Sequence, residues 1–258
     1  TLNQSYRQYD VRFSQDNIMD TLGYSNHQFI ADAKVVTGLS VDFDKISFSF
    51  GIKSVPPTAA TVKKKGLTDY STFNISLNAY RFRIETSYRN YLGFYDVTSP
   101  KYLPGYADSV PYFNPPSMAV RSLRAKTLFI FNKRRFSYNA AYSNTFRQVK
   151  SAGSWLGVGN IYSYRFAANN SFFPLQSRFF YDEWGFLDKF YVTGFTIGPG
   201  ATYNLVLFKR LYVNMTLTTA LDIQRHYLHT NLFNQEVRRW RPGFASDFRA
   251  AIGFNSRN

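Results

Sequence analysis

Cysteine is missing from this 258-residue chain, which excludes a disulfide framework, a thiolate nucleophile and thiolate-ligated metal. No run of about 18 apolar residues occurs, so a membrane-spanning helix is excluded as well. Acid is scarce: Glu appears only at Glu85, Glu183 and Glu236, and 16 acidic residues face 31 Lys and Arg, for a net charge of +15. Histidine occurs only at His27, His226 and His229. His226 and His229 are three apart, which on a strand sends them to opposite faces and leaves no shared metal site.

What is abundant is alternation. Along LYVNMTLTTALDI, residues 211–223, Leu211, Val213, Met215, Leu217, Leu221 and Ile223 share one parity, while Asn214, Thr216, Thr218 and Asp222 share the other. A strand projects successive side chains to opposite faces, so one face is oily for about 20 Å or more and the other polar. Ile46, Phe48, Phe50 and Ile52 repeat the pattern, as do Phe73, Ile75 and Leu77. Phe82 and Ile84 oppose Arg83 and Glu85; Phe129 and Phe131 oppose Arg124 and Lys126; Tyr162, Tyr164 and Phe166 oppose Ser163 and Arg165. Aromatics make up 19% of residues, a proportion suited to the interfacial girdles of a membrane barrel.

The basic charge first suggests nucleic acid. Apart from Lys63, Lys64 and Lys65 and the cluster Lys133, Arg134 and Arg135, however, the cations alternate with apolar residues along strands. No recognition helix or ribonucleoprotein-type motif is present, so no nucleic-acid partner is expected.

The alternation predicts eleven strands near 8–14, 28–43, 45–54, 71–80, 82–95, 121–132, 134–149, 153–166, 191–208, 210–227 and 238–254. Longer links fall at 15–27, 55–70, 96–120, 167–190 and 228–237. With the first strand starting in the periplasm, the first three links fall outside and 167–190 falls inside, unless it hides another strand; its many aromatics suggest an in-plane flap, a plug or a partner contact. The chain is expected to lack a closing strand, and eleven plus one gives twelve. Residues 1–258 are read as one domain, an all-β transmembrane antiparallel β-barrel of about twelve strands (10–14). Any export signal is expected to have been removed before Thr1.

The motif Lys65-Gly66-Leu67-Thr68-Asp69-Tyr70, then Tyr88-Arg89-Asn90-Tyr91-Leu92-Gly93-Phe94-Tyr95, resembles a family of Bacteroidota proteins known as domain of unknown function 4421. The resemblance continues through Lys150-Ser151-Ala152-Gly153-Ser154 and Ala251-Ile252-Gly253-Phe254-Asn255-Ser256. It implies an outer-membrane β-barrel and carries over no catalytic residue.

Arg81, Arg83, Glu85 and Arg89, with Arg124, Lys126, Arg147 and Arg165, form the expected lumen charge network. A basic lumen would favour anions, whereas a narrow barrel fills itself with paired side chains; the filled lumen is favoured. Gly194, Gly198 and Gly200 around Pro199 have the wrong spacing for a phosphate loop and suit a bend in the wall. Tyr102, Tyr106, Tyr112 and Phe113 in a Pro-rich stretch are candidate contacts for a protein or glycan, or alternatively an ordered cap over the barrel mouth. Phe179, Phe180, Tyr181 and Trp184 complete the candidate contacts.

The expected function is a structural or accessory subunit of a larger outer-membrane assembly, without catalysis, metal or cofactor. Its expected partners are outer-membrane lipid, lipopolysaccharide and other outer-membrane or periplasmic proteins. The alternatives are a small basic-lumen pore for anionic solutes and a barrel-type lipid hydrolase, in which distant Ser, His and carboxylate groups would assemble across strands.

Overall fold

Most of the long period-two runs are strand. The computed structural model describes residues 2–15, 24–43, 45–79, 81–103, 110–115, 117–138, 140, 148–208, 210–232 and 234–254. Its strands are β1 (Leu2–Ser14), β2 (Asn26–Phe43), β3 (Ile46–Lys53), β4 (Asp69–Asn78), β5 (Phe82–Leu92), the two-residue β6 (Tyr95–Asp96), β7 (Ala119–Ile130), β8 (Ala152–Ala167), β9 (Leu187–Leu207), β10 (Leu211–Thr230) and β11 (Gln235–Phe254). Short helices α1 (Ala59–Lys65) and α2 (Ser99–Tyr102) and a 3-10 segment, Arg178–Phe186, lie in the connections.

The ten long strands form one antiparallel meander in sequence order, and β6 pairs with β2 off that path. Long registers hold it, with twenty consecutive pairs between β10 and β11. The sheet curls into a half-barrel. Tyr9 of β1 meets Tyr91 of β5, with ring centroids 4.9 Å apart, and Glu85 of β5 pairs with Arg249 of β11. β1 and β11 are the edges of the sheet. Pro242, which cannot donate to a ladder, lies on edge strand β11, where a proline is tolerated.

The partition of side chains is inverted relative to a soluble sandwich. On β10 the inner parity is polar and buried, with Asn214 0% and Thr216 2% exposed; Met215 and Leu217 on the outer parity are 55% and 52% exposed. Part of this buried polar set pairs internally: Thr202 and Thr216 hydroxyls lie 2.8 Å apart, and Thr216 Oγ1 donates to Asn214 Oδ1 at 3.1 Å. Outer-face Phe48, Phe50, Trp155, Ile197, Phe244 and Ile252 are likewise exposed.

The described residues of the strand expected over 134–149 instead turn back and bury two rings. Among the described residues of 134–149 none is strand; the chain turns after β7 with Phe136 N donating to Asn132 O at 3.1 Å. Phe136 and Tyr138 then bury against Leu128, Ile130, Leu156 and Val158 on the inner side of β7 and β8. Their alternation with Arg135 and Ser137 is genuine but too short to build a wall, and it serves to bury two rings. Without that strand the parity conflict disappears: 15–25, 54–68, 93–118 and 168–186 all connect strands at one end, which we call the loop end. At the other end, 44–45, 79–81 and 208–210 are short and 131–151 carries the two buried rings.

At the loop end the interior is filled by a second apolar cluster including Phe29, Tyr70, Tyr91, Phe94, Phe166, Phe172, Phe173 and Tyr181. Two long connections are pinned together there. Tyr112 N donates to Lys64 O at 2.9 Å, Thr68 Oγ1 donates to Gly93 O at 3.1 Å, and the Lys65 ammonium stands 4.9 Å from the Tyr95 ring centre. Gly93 has φ +75°, and a Cβ there would lie 1.8 Å from Leu67 O, so only glycine fits this approach.

Candidate functional site

Between the two apolar clusters lies a charged girdle. β5 and β7 pair with Glu85 opposite Lys126 and Ser87 opposite Arg124, so the inward parities of both strands bring Arg83, Glu85, Arg89, Arg124 and Lys126 to one interior region. β11 adds Asp247 and Arg249 from across the half-barrel. Arg83 Nε donates to Glu85 Oε1 at 2.7 Å and Nη1 to Asn78 Oδ1 at 2.9 Å. Arg249 donates from both Nη atoms to Glu85 Oε2 at 3.4 Å and from Nε to Asp247 Oδ2 at 3.2 Å. Lys126, almost fully buried, donates to the same Asp247 oxygen.

Among the described residues, the girdle cations Arg83, Arg89, Arg124, Lys126 and Arg249 thus share Glu85 and Asp247, with Asp222 farther along the wall. Arg124 donates to Asn160 Oδ1 at 2.9 Å; neither it nor Arg89 has a carboxylate within ion-pair distance among the described residues. Arg83, Glu85, Arg89, Arg124, Lys126 and Arg249, with Ser76 and Ser87, line a cavity of about 240 Å³. Arg124 and Lys126 also border a larger one of about 430 Å³, walled by Tyr9, Tyr162, Tyr164, Phe190, Asp222 and Asp247. There Tyr162 OH donates to both Asp222 oxygens at 2.7 and 2.9 Å, and Gln224 Nε2 donates to Oδ2 at 2.6 Å.

The other expected network members lie elsewhere. Arg81 sits in the turn between β4 and β5, exposed, its carbonyl accepting from Ile130 N at 2.8 Å. Arg147 lies outside the described residues. Arg165 is on the outer face, its guanidinium 5.0 Å from the Tyr191 ring centre. On β8 the aromatic parity of Tyr162, Tyr164 and Phe166 turns inward to pack under the loop-end cluster, so the opposite parity carries Arg165 outward. Asp247 and Arg249 escaped the sequence reading, although their two-residue spacing on β11 matched that of Arg83 and Glu85.

Among the described residues, buried contacts tie the loop-end connections together. The Asp96 carboxylate is a buried hub: Oδ1 accepts from Gln28 N at 3.2 Å, Thr98 N at 2.9 Å and Thr98 Oγ1 at 2.6 Å, and Oδ2 meets His27 Nδ1 and accepts from Tyr102 OH at 2.8 Å. Burial and then the Asp96 charge push the Tyr102 phenol above its ordinary value. Ser99 Oγ donates to Asp96 O at 2.6 Å and accepts from Phe113 N at 2.9 Å. On the neighbouring connection Tyr181 OH donates to Ser25 O at 2.6 Å, and its ring stacks on Phe173 at 4.0 Å. Tyr102 and Tyr181 therefore hold these connections together from within. Tyr112, Phe113, Phe180 and Trp184 are half-buried, Phe179 projects at 87% exposure, and Tyr106 lies outside the described residues.

His27 Nε2 faces Tyr24 O at 3.1 Å, so neither ring nitrogen points to a serine hydroxyl. His226 Nε2 meets Gln224 Oε1 at 2.8 Å, and His229 Nδ1 meets Asp188 Oδ1 at 2.6 Å. Among the described residues no three metal-ligating side chains gather. No curated protein and no solved structure matches the chain. The family model of the domain of unknown function DUF4421 matches residues 5–258, and the chain belongs to that family.

Proposed function

We propose that this chain is an outer-membrane β-barrel that conducts nothing and catalyses nothing, and that serves as a structural or accessory subunit of a larger envelope assembly. The observation that carries the reading is the inverted wall, polar and buried within, apolar and exposed without. In water such a surface, far larger than the few hundred Å² an ordinary monomer exposes, would drive association; lipid removes that penalty. From Leu211 to Ile223 the outer face of β10 runs about 40 Å along the strand, or roughly 30 Å of height at a tilt of about 40°, comparable to a bilayer core. Unpaired ladder groups on β1 and β11 are costly in lipid. Because the two edge strands run antiparallel, closure takes no added strand or an even number, and a twelve-stranded wall takes two.

Apolar clusters at both ends argue for a filled barrel, and the half-buried aromatics Tyr112, Phe113, Phe180 and Trp184 at the loop end supply contact area for a partner. Lipid, lipopolysaccharide and other outer-membrane or periplasmic proteins are the partners this reading implies. Purification from native membranes in mild detergent, with mass spectrometry of what co-elutes, tests it. A stable set of envelope proteins at fixed stoichiometry is expected, and elution alone with steady single-channel conductance would overturn it.

The excess of girdle cations supports a second reading, a small pore for anionic solutes. It predicts anion-selective conductance in planar bilayers that falls in Arg83→Gln and Arg124→Gln.

A further inference from the structure

On the outer wall near the loop end, four successive strands contribute one row. Arg165 of β8 is the register partner of Tyr191 of β9, Tyr191 of Tyr227 of β10, and Tyr227 of Arg238 of β11. Adjacent strands lie about 4.8 Å apart, so the four side chains form a continuous ladder. The Arg165 guanidinium lies 5.0 Å from the Tyr191 ring centre, Tyr191 and Tyr227 stack at 5.1 Å with planes 12° apart, and the Arg238 guanidinium lies 5.7 Å from Tyr227. One rung closer to the apolar band, Arg225 stands 5.9 Å from the Trp240 ring.

A guanidinium held over a ring by cation–π attraction retains N–H donors for a ligand, and its planar fork matches phosphate oxygens. Arg238 is partly spoken for, since it pairs with Glu236 at 3.1 Å, and Tyr227 OH donates to the same carboxylate at 2.7 Å. Arg165 and Arg225 have no carboxylate within ion-pair distance among the described residues. Immediately toward the middle of the wall the outer parity turns oily, with Phe195 opposite Ile223 and Leu221 opposite Phe244. Arginines held over aromatic rings beside an exposed hydrocarbon-like face complement one kind of molecule, an amphiphile with an anionic head.

We propose that this ladder binds the phosphate-bearing head group of a membrane lipid whose acyl chains lie along the apolar wall below. The site rests on the reading of that wall as a membrane surface and names a ligand for it. Arg165 and Arg225 grip the phosphoryl oxygens, while Tyr191, Tyr227 and Trp240 fix the guanidinium planes and the depth of the head group.

The test inserts the full chain into nanodiscs of phosphatidylcholine with phosphatidylglycerol added, exchanges it into detergent, and measures the lipid retained by mass spectrometry. Wild type is expected to retain the anionic lipid several-fold over its share of the bilayer. Arg165→Gln/Arg225→Gln should bring that enrichment close to one, whereas Arg89→Gln/Arg124→Gln, which removes equal charge from the interior, should preserve it. Heat-dependent electrophoretic mobility checks that each variant is folded. Equal enrichment in the ladder variant, or none in wild type, overturns the site while leaving the membrane wall standing. Failure of wild type to enter nanodiscs of any composition overturns the wall and the site together.

Discussion

Arg249 of β11 reaches across the interior to Glu85 of β5, both Nη atoms 3.4 Å from the same carboxylate oxygen, and so links strands 164 residues apart in sequence. Glu85 also accepts from Arg83, so a single carboxylate restrains two guanidiniums. Glu85→Gln is expected to cost about 1–3 kcal/mol, since it removes a counter-charge from Arg83 and leaves Arg249 with Asp247 alone. The readout is the temperature at which the folded band converts to the unfolded one in heat-modified electrophoresis. Glu85→Gln/Arg249→Gln should recover part of the loss, and strictly additive effects would show that the two residues are not coupled.

Asp96→Asn should loosen the loop-end connections and spare the wall. The carboxylate serves five donors from β2, α2 and the chain between, and an amide can accept at only one atom. Limited proteolysis is expected to cut within 93–118 at least ten-fold faster than in wild type, with strand content unchanged by circular dichroism.

These connections should also loosen at high pH. Tyr102 has a folded pKa above its unfolded value of about 10. Its contribution is therefore complete below that value and is lost as pH rises through the folded one. Alkaline difference absorbance should contain a late-titrating phenolate that coincides with faster proteolysis of 93–118 and that is lost in Tyr102→Phe. Superimposable titration curves would rule this out.

The pair of rings buried between β7 and β8 makes a prediction for conductance. Phe136→Ala/Tyr138→Ala removes both rings buried against Leu128, Ile130, Leu156 and Val158; each truncation costs about 3–5 kcal/mol of local packing. Wild type should be electrically silent in planar bilayers, and the double variant should pass current with anions preferred over cations. A silent variant that is still folded would locate the seal at the loop end alone.

Leu217→Arg places a charge near the middle of the exposed band on β10. A cost of about 2–4 kcal/mol is expected for a residue facing lipid there, read as a fall in folding yield into vesicles. Unchanged yield would count against a membrane at that face.

Strand order, register and the sorting of side chains were largely legible, because an inner and an outer face repeat along nearly every strand. Met215 and Thr216 could be assigned to opposite sides from parity alone. What misled was parity without length or context. Phe136 and Tyr138 alternate like a strand but fold back against β7 and β8, and the fate of two rings depends on the cavity that receives them. Tyr164 and Phe166 look like outer-wall residues, yet the loop-end cluster draws them inward and turns Arg165 out to Tyr191. Asp247 and Arg249 needed the curl of the sheet, since no local pattern tells which strand lies opposite another.

The close approach at Gly93 has a mechanical consequence. Because its α-carbon touches the backbone at Leu67, and Tyr112 is tied to Lys64, the two connections move as one lever rather than as independent arms. A force applied to one of them is therefore shared with the other before it reaches the strands beneath.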